Sequence, residues 1–181
     1  MERAPQTTSP GITSPPFQVG KATAEDLPDL FRLINHAYEG ETWLFPHPRI
    51  TLSELLREFR DPAKVFLVGK SKGIFLGTVR VDLGPDPEDG AFPIFGLLGV
   101  GPGHRGLGVG EALVRAAEDL ATASGFPALH LDCIDELGLP AFYARLGYGE
   151  TGRTFGSLWG STIPFTLVRM KKELPAPSRT G

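Results

Sequence analysis

A glycine-rich segment lies between an apolar run and a predicted helix. Residues 97–114, LLGVGPGHRGLGVGEALV, contain six glycines. Glycine weakens both helices and strands, so this concentration indicates that the backbone itself is needed here. Free N–H groups at the start of a helix carry about half a positive charge, and glycines let a phosphate approach them closely. Arg105 adds a permanent positive charge. The segment therefore favours a phosphate-bearing ligand over the alternative, a turn that needs positive φ in places.

Two known phosphate-binding patterns can be compared with this segment. The P-loop requires Gly-Lys-Ser/Thr, which is absent here. A dinucleotide fingerprint is literally present as Gly101-x-Gly103-x-x-Gly106, and Asp132 follows at the end of the next predicted strand. That interpretation starts the helix near Gly103 and puts the later glycines in its first turns, at about 1 kcal/mol each. It also leaves few residues for a second βαβ half. An NAD-binding oxidoreductase is therefore the less favoured alternative.

The segment resembles the acyl-CoA loop of the GNAT superfamily of N-acetyltransferases. The family pattern is Arg/Gln-x-x-Gly-x-Gly/Ala, and Arg105, Gly108 and Gly110 match it in register. A second segment, AFYARLGY at 141–148, is similar to the family's aromatic-Tyr-x-x-x-Gly-aromatic motif. ATAEDLPDLFRLINHAYEGET and LVRMKKEL resemble its first helix and last strand, so the resemblance covers about residues 17–174.

The resemblance implies acetyl-CoA as cosubstrate. The loop would hold the pyrophosphate, and a bulge near the end of strand 94–100 would free backbone groups for the pantetheine arm. A backbone N–H there would polarise the thioester carbonyl where charge develops. The implied cofactor-binding residues are Leu98, Gly99, Val100, Arg105, Gly106, Leu107, Gly108, Val109 and Gly110. The histidines and the single cysteine show no metal-ligand spacing, so no metal is predicted.

The implied reaction is direct transfer of an acetyl group to a primary amine. Tyr143 of the second motif is implied as the general acid for the leaving thiolate. A phenol has a pKa of about 10 and a thiol about 8.5, so this proton transfer is not strongly downhill, but it removes a bare thiolate. The amine must be neutral to attack, which needs a base. Glu41 or Asp82 is the hypothesis for that base. The other acidic candidates are Glu39, Asp86, Glu88 and Asp89.

The sequence departs from the family at one position. The family often carries Asn where this chain has Glu136, so a contact from that position to the cofactor is not predicted. The tyrosine of the motif is kept.

Aromatic residues concentrate in two segments that the family uses around its acceptor. EGETWLFPHP at 39–48 follows the first predicted helix, and TFGSLWGST at 154–162 precedes the last strand. An ordinary loop with buried aromatics is the alternative. The predicted acceptor-binding residues are Tyr38, Trp43, Phe45 and Trp159. The acceptor itself, a small-molecule or peptide amine, is not identified, although the acidic loops favour a cationic one.

Hydrophobic periodicity predicts the elements that position these residues. Strands are predicted at 17–23, 64–70, 73–83, 91–100, 127–134 and 160–174, helices at 24–40, 51–61, 108–124 and 139–147, and a further short strand near 148–152. This order predicts an α/β (α+β) domain. The resemblance implies a GNAT-like mixed, largely antiparallel twisted sheet of six to seven strands, splayed centrally, with about four helices on its faces.

Composition limits the remaining function classes. The net charge of −3 disfavours a general nucleic-acid binder, and no apolar run approaches the roughly 20 residues of a membrane span. With one cysteine and no secretory signal, a cytoplasmic location is expected. Residues 17–174 are predicted to form one domain between a disordered tail at 1–16 and a flexible tail at 175–181. A homodimer is open, as is a non-catalytic acyl-CoA sensor that keeps the fold.

Overall fold

The computed structural model describes residues 16–84 and 93–176. Asp86, Glu88 and Asp89 lie outside the described residues, as do most of the two predicted tails. The strands are β1 Gln18–Lys21, β2 Lys64–Ser71, β3 Ile74–Asp82, β4 Ile94–Val100, β5 Ala128–Ile134, β6 Gly149–Gly156 and β7 Phe165–Glu173. The helices are α1 Leu27–Ala37, α2 Leu52–Phe59, α3 Val109–Ala123 and α4 Leu139–Arg145, and short 3₁₀ turns include Glu39–Glu41 and Pro102–His104.

The strands form one seven-stranded sheet in the order β1-β2-β3-β4-β5-β7-β6. β4 and β5 pair in parallel, and the other neighbours are antiparallel. The predicted mixed α/β class, strand number and helix number are confirmed. β7 begins later than predicted because Pro164 cannot donate to a ladder and Ser161 closes a turn on the Leu158 carbonyl at 2.9 Å.

Helices cover both faces of this sheet, as the alternation along β2 demonstrates. Phe66 and Val68 pack in one cluster with residues of α1 and α2, whereas Leu67, between them, packs in the cluster that contains α3 and α4. Side chains of successive strand residues point to opposite faces, so one strand contributes residues to two hydrophobic clusters. Within 16–84 and 93–176, no helix is long and apolar enough to cross a membrane.

The sheet splits at its centre. β4 and β5 are paired only at Ile94 with His130 and at Phe95 with Leu131. Beyond these pairs the two strands run on to Val100 and Ile134 without pairing to each other. This divergence opens a cleft between two strands in the middle of the sheet, as the predicted central splay requires.

Candidate active site

A cavity of about 520 Å³ occupies the cleft. β4 lines it through residues 94–98 and β5 through residues 132–134. The helix α4 contributes Leu139, Phe142 and Tyr143. The opposite side is formed by the end of α1, the segment that follows it, α2 and β3, through Tyr38, Glu41, Phe45, Arg49, Ile50, Glu54, Arg57, Glu58 and Arg80, with Trp159 at the edge.

A bulge in β4 faces this cavity. Across from β4, Thr78 pairs with Gly99 and Arg80 pairs with Gly96, so β4 holds one residue more than β3 over this stretch. Leu97 within it has φ +49°, a left-handed conformation that L-residues rarely adopt. Strain of this kind, typically about 1–3 kcal/mol, persists only where the surroundings enforce it. The bulge lies at Leu97–Leu98, so it begins one residue before the Leu98–Val100 segment that the resemblance implied.

Tyr38 fixes the bulge from the other side of the cleft. Its hydroxyl donates to the Leu98 carbonyl oxygen at 3.0 Å. Gly99 allows this approach, because a Cβ there would lie 2.9 Å from the Cβ of Ala37. Burial raises the pKa of Tyr38 well above its ordinary value, against the effect of Arg49 and Arg80, so the phenol stays a donor.

The glycine segment presents its backbone beside the end of β4. Gly106 and Gly108 both have φ +78°, and α3 begins at Val109. The first helical N–H groups have no partner within a helix, and Ala112 is the first residue here to bond back, to the Gly108 carbonyl at 3.0 Å. The helix starts well after Gly103, with Gly108 at its N-cap and Gly110 in its first turn. The dinucleotide interpretation, which starts it near Gly103, is therefore wrong on this point.

Close packing sets the position of that helix start. A Cβ on Gly77 of β3 would lie 2.9 Å from Val109 and 3.0 Å from Leu113, so α3 rests directly on the strand. A Cβ on Gly110 would make only ordinary contacts, at 3.6 Å from Val100. Arg105 is tied to α1, since it donates to the Ala37 carbonyl at 3.0 Å.

Tyr143 lies on the opposite side of the same cavity. It is 6% exposed, and its ring packs edge-on against Phe95 and Phe142. Burial raises the pKa of Tyr143 far above that of a free phenol, so it remains protonated. Among the described residues its hydroxyl has no hydrogen-bond partner, which leaves its proton available to a ligand.

The two predicted bases are not equivalent in position. Glu41 lines the cavity, and burial raises the pKa of its carboxyl, against the effects of Arg49 and Arg105. Asp82 is outside the cavity lining. It pairs across strands with Lys64, at 3.7 Å between Nζ and Oδ2, and accepts from the Gly84 N–H. The structure therefore brings Glu41 to the site and leaves Asp82 out of it.

A family model for the acetyltransferase (GNAT) family matches residues 27–148. The chain belongs to the GNAT acetyltransferase family. The human N-acetyltransferase 8B is 27% identical over 132 residues, which cover 71% of this chain and 58% of that relative. The chain thus spans less than two thirds of the length of the curated relatives it matches.

Solved structures share the fold at low identity. An N-acetyltransferase from Staphylococcus aureus aligns with a TM-score of 0.74 and 17% identity, over 88% of this chain and 99% of its own. The yncA protein of Salmonella typhimurium, solved with its cofactor acetyl-CoA, aligns with a TM-score of 0.72 and 18% identity, over 90% of this chain and 98% of its own. At such identities the likeness shows the fold.

The position that departs from the family motif serves a structural purpose. Both carboxylate oxygens of Glu136 accept from the Thr166 N–H, at 2.9 and 3.1 Å. This ties the turn after β5 to the start of β7.

The predicted acceptor residues divide into two groups. Tyr38, Phe45 and Trp159 line the cavity, and the rings of Phe45 and Trp159 are 6.4 Å apart. Trp43 is outside the lining and 48% exposed, with its carbonyl accepting from the Thr162 hydroxyl.

Sequence reasoning missed Arg49 and Arg80, which also line the cavity. Neither belongs to a recognisable motif. The alternation along β3 could have placed Arg80 on the same face as Asp82, but nothing in the sequence signals Arg49. Among residues 16–84 and 93–176, no cluster of His, Cys, Asp and Glu is suited to hold a metal.

Proposed function

We propose that the chain transfers an acetyl group from acetyl-CoA directly to a primary amine in this cavity. One observation carries the proposal: Glu41, Tyr143 and the β4 bulge all face the same cleft. A proton acceptor, a proton donor and backbone groups released from sheet pairing are the parts that acyl transfer to an amine requires.

The residues present fit the proposed cosubstrate. The N–H groups of Gly106 to Gly110 lie at the start of α3, where the helix dipole favours a phosphate. The open space around Gly106 and Gly108 lets a ligand approach the backbone. Bulge residues Leu97 and Leu98 would pair with the pantetheine arm. Acetyl-CoA supplies the activated thioester carbonyl.

Glu41 is proposed as the base and Tyr143 as the acid. Burial raises the pKa of the Glu41 carboxyl towards the working pH, which improves a base that must both take and release protons. Tyr143 holds its proton in a dry environment and would donate it to the departing sulfur. The amine proton would go to Glu41, so both products leave neutral, and Tyr143 would regain a proton as Glu41 loses one before the next turnover.

Direct transfer is preferred over an acetylated cysteine intermediate. Cys133 lines the cavity, but burial raises the pKa of its thiol to about 12. The thiolate is the nucleophile in such chemistry, and very little of it forms at neutral pH. Its sulfur contacts the Met170 sulfur at 3.8 Å.

Binding and turnover test the proposal in two steps. We expect acetyl-CoA at 100 times its Kd to stabilise the protein by about 2.7 kcal/mol, which raises Tm by roughly 5–10 °C, whereas NAD has no effect. Incubation with a panel of amines should then release free CoA thiol. No shift with acetyl-CoA overturns the proposal, and a shift without thiol release from any amine favours the sensor alternative.

Tyr143→Phe, with Tyr148→Phe as its control, tests the assigned acid. Both are buried phenols, and their rings are 6.1 Å apart, but Tyr148 does not line the cavity. We expect the first variant to lower kcat about 10- to 100-fold and the second to leave it nearly unchanged. Equal kcat values for the two variants would remove Tyr143 from this role.

A further inference from the structure

Arg49 is a cation held in the cavity, and no carboxylate of residues 16–84 or 93–176 forms a salt bridge with it. Its guanidinium carbon lies 5.3 Å from the ring centroid of Tyr38 and 5.1 Å from that of Phe45. Its Nε is sealed from solvent and has no hydrogen-bond acceptor among the described residues. A buried donor without an acceptor is costly, so a ligand that supplies one gains affinity.

The segment that carries Arg49 is fixed before any ligand arrives. The side-chain amide of Asn35 donates to the Ile50 carbonyl at 3.1 Å and accepts from the Ile50 N–H at 3.1 Å. Leu44, fully buried, accepts from the Thr162 N–H at 2.9 Å. The arginine is therefore pre-positioned, and binding needs little further ordering.

The other charged groups of the cavity are already engaged or lie at its mouth. Glu58 pairs with Arg80 and lies 3.7 Å from Lys64, and Glu54 caps α2 through the Thr51 N–H at 2.8 Å. Asp132 pairs with Arg169 at 3.1 Å, and Arg57 is an exposed residue of α2.

Two opposite charges remain without an ion pair among the described residues of the inner cavity, Glu41 and Arg49. Arg49 acts to lower the pKa of Glu41, yet the two side chains form no salt bridge. Arg80, which also acts on Tyr38, adds a second sealed Nε without an acceptor. Since Arg80 is paired with Glu58, the cavity leaves one carboxylate, Glu41, and one guanidinium, Arg49, without an ion pair among the described residues.

We infer that the acceptor is an amino acid or a close analogue, whose carboxylate binds Arg49 while its amine faces Glu41. The guanidinium fork matches a carboxylate in a bidentate manner. Phe45, Ile50 and Leu137 line the same cavity and would receive an apolar side chain. The inference rests on the proposed acetyl transfer and specifies its substrate class. It also replaces the expectation of a purely cationic acceptor with that of a zwitterion.

Matched acceptors test this assignment. Acetylation would be measured with L-leucine, L-methionine and L-phenylalanine and with their amides, which keep the amine and lose the carboxylate. We expect kcat/KM for at least one amino acid to exceed that for its amide by about 10- to 100-fold. In parallel, calorimetry on the CoA-saturated protein would measure binding of the same pairs. Equal values for acids and amides, or no binding of any acid, would overturn the inference.

Variants of Arg49 then separate recognition from packing. Arg49→Gln should bring the ratio of acid to amide close to one while leaving the Kd of acetyl-CoA unchanged. Arg49→Lys should recover part of the ratio through charge alone. Arg32→Gln, at an exposed position on α1, is the control and should keep the full ratio.

The two proposals fail in different ways. Loss of acetyl-CoA binding in the unmodified protein contradicts acetyl transfer itself. Intact acetyl-CoA binding with acid and amide acetylated equally contradicts only the carboxylate site. If Arg49→Gln weakens acetyl-CoA binding instead of the acid preference, the arginine belongs to the cofactor and the inference is wrong.

Discussion

The two walls of the cavity are built for recognition by different chemical groups. The wall that we propose for the cofactor offers main-chain groups: the bulge at Leu97–Leu98, which lines the cavity, and the N–H groups at the start of α3, which lie outside the cavity lining but next to the end of β4. The acceptor wall, residues 38–58, offers side chains, among them Glu41 and Arg49. One wall therefore depends on backbone conformation and the other on residue identity.

This difference explains how each wall can vary. Backbone recognition requires particular φ values, and at φ +78° glycine is strongly preferred over other residues. The proposed cofactor wall can therefore be recognised in the sequence from glycines at fixed spacing. The acceptor wall imposes no such rule, because its side chains can be exchanged on a segment that Asn35 and Thr162 hold in place. If the proposed division is right, we expect substrate preference to change there without altering acetyl-CoA binding.

Glu41→Gln should produce the largest effect on the acceptor wall. Without a base, kcat/KM should fall about 100-fold or more at neutral pH. In the parent, activity should rise with pH through the Glu41 pKa, which burial places above its ordinary value, and the variant should lose that rise. Burial penalises the charged form of Glu41, so its contribution to the free energy of unfolding falls as the pH rises through its folded-state pKa. At pH values above that pKa, the Glu41→Gln variant should therefore be at least as stable as the parent.

Glu39→Gln is the matched control for that variant. Glu39 lies in the same 3₁₀ turn, but its side chain is exposed, with its Oε2 3.8 Å from His36 Nε2. Its pH–rate profile should match that of the parent. If Glu41→Gln keeps the parent's activity and profile, another group or a water chain takes the amine proton.

Gly108→Ala tests the cofactor wall with a smaller effect. A non-glycine residue in the left-handed region costs about 1–2 kcal/mol. Gly108 is exposed, so the free loop can relax and the cost appears on binding. We expect the Kd of acetyl-CoA to rise about 5- to 30-fold, measured by calorimetry, with the acid-to-amide preference unchanged.

Gly103→Ala controls for the loss of a glycine in the same loop. Gly103 has no positive φ, and a Cβ there would have no neighbour within 4 Å. Its acetyl-CoA affinity should equal that of the parent. Wild-type affinity in Gly108→Ala would mean that the positive φ is not needed for the bound loop.

The contrast between the walls also explains what could be predicted from the sequence. The elements follow from hydrophobic periodicity, and the loop follows from its glycines, since both signals are local. Tyr143 is implied by the resemblance of its short motif to the family. Tyr38 is predicted as an acceptor-binding residue, but its hydrogen bond to the Leu98 carbonyl is not, because the two residues are 60 positions apart in the chain.

The register of strand pairing could not be predicted from the sequence either. Asp82 was a reasonable base on sequence grounds, at the end of a strand beside an acidic turn. The pairing of β2 with β3 sets it opposite Lys64, and this cross-strand pair occupies it. The role of Arg49 likewise depends on the Asn35–Ile50 hydrogen bonds, which no periodic pattern reveals.

Cys133→Ala should have the smallest effect on catalysis, although it changes a side chain in the cleft itself. The thiol has a pKa of about 12, so it remains protonated across the working range and contributes no nucleophile. We expect kcat to stay within about twofold of the parent, while the lost packing against Met170 lowers Tm by a few degrees. Intact-mass measurement after mixing the parent with acetyl-CoA alone should show no acetylated protein. An acetylated Cys133 peptide, or inactivity in a folded Cys133→Ala protein, would instead make Cys133 the nucleophile. The side chain would then take a role that we assign to the bound amine, and the proposed division between the two walls would be wrong.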